Sequence, residues 1–145
     1  MKTVLLTIIA VLCLLVAGCN ETIRPTAWIL TGSDVDAKDN PIVGRLGVDN
    51  QGVGFGLEVN YAGGHIERES YGAYITAELT PTPLGTPYVG YHALLAIDDV
   101  EEQHGPIFGT LLDVGGITTV IEGQYIGQAD GNDQYKAFAG VRVKF

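Results

Sequence analysis

The chain has 145 residues, seventeen acidic against eight basic, and a formal charge of −9. That balance argues against nucleic acid and anionic membrane surfaces as electrostatic partners. Twenty glycines and few lysines or arginines point to strands and tight turns rather than helices, and the length suits one domain.

The first element is a processing signal. Lys2 forms a short basic region, Val4 to Ala17 an apolar run, and the run closes on Leu15, Val16, Ala17, Gly18, Cys19. About fourteen apolar residues are too few to span a bilayer that needs roughly twenty. The closing residues resemble the lipobox of bacterial lipoproteins. The resemblance implies cleavage after Gly18 and acylation of Cys19, and Asn20, which is not aspartate, implies sorting to the outer membrane. The expected organisation is a signal peptide over 1–18, a lipidated linker over 19–26 and one β-domain over 27–145. Cys13 leaves with the signal and Cys19 carries lipid, so the mature chain keeps no thiol for a disulfide, a zinc site or a nucleophile. Losing Lys2 brings its charge near −10.

Eight strands follow, carried by a period of two. Ala27 to Gly32 is short and Ile42 to Asp49 alternates weakly. Gly52 to Tyr61 alternates without a break, with Val53, Phe55, Leu57, Val59 and Tyr61 on one face and Gly52, Gly54, Gly56, Glu58 and Asn60 on the other. Ser70 to Leu79 and Pro87 to Ile97 repeat the pattern, Pro106 to Val114 and Ile117 to Gly127 weaken it, and Tyr135 to Phe145 restores it. The six prolines fall at segment edges or between segments, as expected if strand interiors donate to neighbours on both sides.

The connections alternate in character. Ser33 to Asn40, Ala62 to Glu69, Asp98 to Gly105 and Gln128 to Gln134 are long and carry eleven acids against Lys38 and Arg68; Asp49 to Gly52, Thr80 to Thr86 and Gly115 to Gly116 are short or proline-rich and nearly uncharged. An up-and-down order puts the acidic set at one end. Outer-membrane barrels sort their connections in this way.

Alternation does not say which face points inward, because a soluble barrel also alternates. In a membrane barrel Leu46, Val48, Phe55, Leu57, Ile75, Leu79, Tyr91, Leu95, Ile121 and Val143 face lipid, while Arg45, Glu58, Glu78, His92, Asp113, Glu122 and Arg142 face the lumen. In a soluble barrel the sets exchange places. Strand length, the scarcity of charge on the polar face and the last strand favour lipid. AFAGVRVKF (Ala137 to Phe145) resembles the C-terminal insertion signal of outer-membrane barrels, with Gly140, Val143 and terminal aromatic Phe145 in the pattern. From Ala27 onward the chain resembles the small eight-stranded outer-membrane β-barrels. The resemblance implies an antiparallel up-and-down barrel, insertion by the barrel-assembly machinery, and contact with outer-membrane lipid and lipopolysaccharide.

Eight strands leave a lumen only wide enough for side chains, so no open pore is expected. Arg45, Glu58, Glu78, Glu122 and Arg142 are expected to form one buried ion-pair network, with Glu58 and Arg142 facing each other. Trp28, Tyr61, Tyr71, Tyr88, Tyr125 and Tyr135 lie near strand ends, suited to interfacial girdles.

Catalysis finds little support. The mature chain offers Ser33, Ser70, His65, His92 and His104 without a local hydroxyl and histidine arrangement, and His92 reads as a satisfied interior histidine. No catalytic residue, cofactor or metal is expected. Asp98 to His104 (DDVEEQH) offers oxygens for a divalent cation and Ala129 to Asp133 (ADGND) lacks the spacing and closing glutamate of a calcium loop; both read as solvated acids, with cation bridging to lipopolysaccharide the open alternative. The expectation is a non-enzymatic outer-membrane lipoprotein with a structural, adhesion or surface-recognition role. Two alternatives stay open: a soluble lipocalin-like periplasmic lipoprotein holding a small apolar ligand, and an outer-membrane lipid-modifying enzyme.

Overall fold

The computed structural model describes residues 23–34, 40–63, 69–96, 102–128 and 134–145. Eight strands follow one another: β1 (Ile23–Asp34), β2 (Asn40–Asn50), β3 (Val53–Gly63), β4 (Glu69–Glu78), β5 (Thr86–Ala96), β6 (Glu102–Val114), β7 (Ile117–Gln128) and β8 (Gln134–Lys144). Each pairs antiparallel with the next, and β8 pairs with β1, closing an eight-stranded up-and-down barrel with no free sheet edge.

The stagger of the barrel can be walked from pair to pair. Arg24 lies opposite Asp49, and the path continues through Gly54, Thr76, Gly90, Ile107, Gln124 and Lys136 to Asp34, ten residues farther along β1. Ten residues of stagger over eight strands tilts each strand by about 40°. An eleven-residue strand such as β3 then rises about 28 Å.

Local chemistry explains the turns. Gln51 and Gly52 have φ of 52° and 90°, and Gly115 and Gly116 have 62° and 87°. Positive φ at both central residues is the hairpin turn whose twist matches the flanking strands. Residues 79–85 form the third connection at this end, pinned by a Thr82–Gly85 bridge and by Thr82 Oγ1 donating to Gly85 O at 2.9 Å. The strand ends joined by the four long acidic connections lie at the other end of the barrel, the loop end.

Two boundaries differ from expectation by four residues, and most others by one or two. β1 begins at Ile23, four residues before Ala27, so Ile23 to Thr26 are strand rather than linker; Ile23 lies opposite Asn50, and Pro25 O accepts from Phe145 N at 2.9 Å. Ile23 and Pro25 alternate with Arg24 and Thr26, too short a run to read as strand by itself, and the strand state is set by pairing with β2 and, at Pro25 and Thr26, with the end of β8. β6 begins at Glu102, which puts Pro106 inside a strand. Its register with β7 runs through His104 opposite Gly127 and resumes at Ile107 opposite Gln124, so Pro106 sits where the ladder is interrupted and no N–H is required.

Candidate functional site

The side chains of β3 decide the inside of the barrel. Leu57 is 50 % exposed on the outer wall and Glu58 is fully buried in the lumen. The same parity holds elsewhere: Leu46, Ile75, Leu79, Tyr91, Ile121 and Val143 are exposed, and Val48, Phe55 and Leu95 share their outward face half-buried. Arg45, His92, Glu122 and Arg142 are buried inside and Glu78 is partly buried there. Asp113 has inward parity but lies exposed at the rim, where Thr118 Oγ1 donates to it at 2.7 Å. The weak alternation of β2, β6 and β7 has a simple cause. Val43, Ile107, Leu111, Val120 and Ile126 point inward and are buried too, so both faces of these strands are apolar.

The five residues expected to form one network form two. In the central cluster, Arg45 Nε donates to Glu58 Oε2 at 2.6 Å, and its Nη1 and Nη2 donate to Glu122 Oε2 and Oε1 at 2.6 and 2.8 Å. This fork is the strong, bidentate form of an ion pair. Glu122 also accepts from Tyr88 OH at 2.5 Å and Gln124 Nε2 at 2.6 Å, so both oxygens are fully used. His92 Nδ1 lies 3.0 Å from Glu58 Oε1, and because a carboxylate only accepts, the imidazole donates there. The guanidinium of Arg45 lies 5.4 Å from the Trp28 ring and 5.1 Å from that of Tyr74. No side-chain surface of Arg45, Glu58, Glu122 or His92 is open to solvent.

The second cluster lies toward the turn end. Arg142 Nη2 donates to Glu78 Oε1 at 2.5 Å, and Lys144 Nζ reaches Glu78 Oε1 at 3.1 Å and Asp49 Oδ1 at 3.3 Å. Arg142 therefore pairs with Glu78 and not with Glu58. The register explains the correction: Arg142 lies opposite Trp28, and the indole, 4.9 Å from the Arg142 guanidinium, stands between the two clusters.

Toward the loop end aliphatic side chains enter the lumen beside buried Ser70 and Gln103. Leu30, Val43, Leu94 and Ile126 each sit one inward position beyond Trp28, Arg45, His92 and Gln124, and all four are buried. The central cluster and these side chains fill the lumen at this level.

Glycine shapes the space. A Cβ on Gly47 would come 2.6 Å from Tyr74 OH, and one on Gly109 would come 2.7 Å from the Tyr88 ring, so these two positions let the tyrosines lie across the barrel.

Trp28 and Tyr88, assigned to interfacial girdles, instead point inward and are buried. Tyr88 shares the parity of His92 along β5, a signal already present in the sequence; Trp28 has apolar neighbours on both faces and no such signal. Gln124, Asp49 and Lys144 join the clusters without having been expected there. Tyr61, Tyr71 and Tyr135 are exposed on the outer wall near the loop end, and Tyr125 packs on Tyr135 with ring centres 5.1 Å apart.

Gly140 lies opposite Leu30, Val143 points outward, and Phe145 is 73 % exposed. Ser70 is buried, and His104 lies outside with its Nδ1 2.6 Å from Tyr91 OH. The signal over 1–18, Cys19, His65, Asp98 to Glu101 and Ala129 to Asp133 lie outside the described residues. Among the described residues no group of three or more acidic, histidine or cysteine side chains is arranged to hold a metal.

No protein-family model matches the chain, and no curated protein matches it in sequence. A solved structure titled "De novo design of transmembrane beta-barrels" matches with a TM-score of 0.66 at 16 % identity, covering 87 % of this chain and 98 % of that one. At that identity the likeness concerns the fold: a small closed antiparallel barrel.

Proposed function

We propose that the chain is a small outer-membrane β-barrel lipoprotein, anchored in addition through Cys19, with a structural, adhesion or surface-recognition role and no catalytic one. One observation carries the membrane part. The barrel exposes Leu46, Leu57, Ile75 and Ile121 while burying Arg45, Glu58 and Glu122, the reverse of what water would select and what hydrocarbon requires. The strand rise of about 28 Å suits a hydrocarbon core of roughly 30 Å. A lipocalin-like barrel would gather Phe55 and Leu57 around an apolar ligand, and here both face out. The plugged lumen supports an anchor that presents its acidic connections rather than a channel. The lipobox resemblance supports the outer membrane as the destination, with lipopolysaccharide as neighbour and the barrel-assembly machinery as the inserting partner.

The test removes the signal and replaces Cys19 by serine. The variant should still require detergent and should migrate faster unboiled than boiled on gels. Release of a folded, heat-insensitive protein into the aqueous fraction would overturn the membrane reading. Lipid composition on expression should stay unchanged, whereas a new acylation or deacylation product would reveal an enzyme.

A further inference from the structure

At the turn end the lumen opens into a vestibule of about 440 Å³, within the range of small-ligand sites. Its lining pairs two acids, Glu78 and Asp113, with two bases, Arg142 and Lys144, and also includes Ile117 and Val143. The last two are exposed on the outer wall, so the cavity breaks over the β7–β8 rim. Arg142 is 4 % exposed, and its Nε, itself closed to solvent, has no hydrogen-bond partner among the described residues. Glu78 is occupied by Arg142 and Lys144, whereas among the described residues Asp113 accepts from the Thr118 hydroxyl alone.

A simple anion entering this space meets Glu78 and Asp113, and a simple cation meets Arg142 and Lys144. A ligand carrying both signs a few ångströms apart meets both pairs, sharing Arg142 and Lys144 with Glu78 and Asp49. The route over Ile117 and Val143 adds an apolar exit toward the outer wall. We infer that the vestibule holds the headgroup of a zwitterionic phospholipid with a primary ammonium, its phosphate toward Lys144 and Arg142, its ammonium toward Asp113, and its acyl chains leaving over Ile117 and Val143. This assignment rests on the membrane reading and names the lipid that reading leaves open. Phosphate suits a guanidinium and an ammonium, and the three N–H groups of a primary ammonium suit a carboxylate.

The test uses the full barrel in nonionic detergent with phosphatidylethanolamine or phosphatidylglycerol added, and counts retained lipid by native mass spectrometry. The ethanolamine lipid should be retained about fivefold better, the scale set by partly exposed charge pairs. Asp113→Asn with Lys144→Gln should bring the two lipids to parity without altering the gel shift of the unboiled protein. Equal retention by the parent barrel, or an undiminished preference in the variant, overturns the site. Water-soluble phosphoethanolamine at the same concentration should displace no lipid, and complete displacement would make the ligand a solute and overturn the lipid assignment. A barrel that stays in solution without detergent refutes the membrane reading instead, whichever headgroup binds.

Discussion

Arg45 is the position at which a sealed lumen and a wet one differ most. Its guanidinium makes three hydrogen bonds to two carboxylates, and none of the three side chains touches solvent. Arg45→Met removes the cation and leaves Glu58 and Glu122 without it. Removing one partner of a buried ion pair costs about 3–5 kcal/mol, because the remaining charge is stranded in a low-dielectric interior. That is a large part of a total stability of about 5–15 kcal/mol, so the variant should fold but stand near the edge. With an m-value near 2 kcal/mol per molar urea, the midpoint should fall by about 2 M. Trp28 supplies the signal, since it is the single tryptophan and packs on Arg45 itself. The companion is Arg45→Met with Glu58→Gln and Glu122→Gln, which removes the charges together. Replacing a whole buried ionic group is near neutral or stabilising, so the triple variant should recover most of the loss. A single variant costing under about 1 kcal/mol would mean that water reaches the carboxylates. A triple variant no better than the single would mean that charge is not the cause of the loss.

Leu57→Arg, at the middle of β3 on the outer wall, should cost about 2–4 kcal/mol of folding into lipid vesicles, read from the fraction of gel-shifted protein. In a water-exposed barrel the same change would be neutral. Gly47→Ala should destabilise by about 1–3 kcal/mol in the same urea titration, because the added methyl meets Tyr74 OH and the backbone of Phe55; an unchanged midpoint would show that both the tyrosine and the facing strand give way freely. In planar bilayers the parent protein should give no stepwise ionic current, and steady channel steps would refute the plug formed by the central cluster and the aliphatic side chains on its loop side.

The strand rhythm of β3, the sorting of the connections into an acidic and a nearly uncharged set, and the placing of Arg45, Glu58, Glu122 and Arg142 on the polar face of their strands are all local properties of the chain. They follow from a side-chain period of two and from turn chemistry at glycine, so one sequence suffices to read them. Pairing across one hairpin is almost as local: Arg45 lies opposite Glu58 through a two-residue turn. The bond from Arg45 to Glu122 spans 77 residues, and no periodicity reports it. It exists because the ten-residue stagger and the closure of β8 on β1 bring β2 and β7 across the lumen at one height. The same closure sets Arg142 beside Trp28 and Glu78 and away from Glu58. It also decides that Trp28 points inward, since β1 is apolar on both faces and only its two neighbours choose between them.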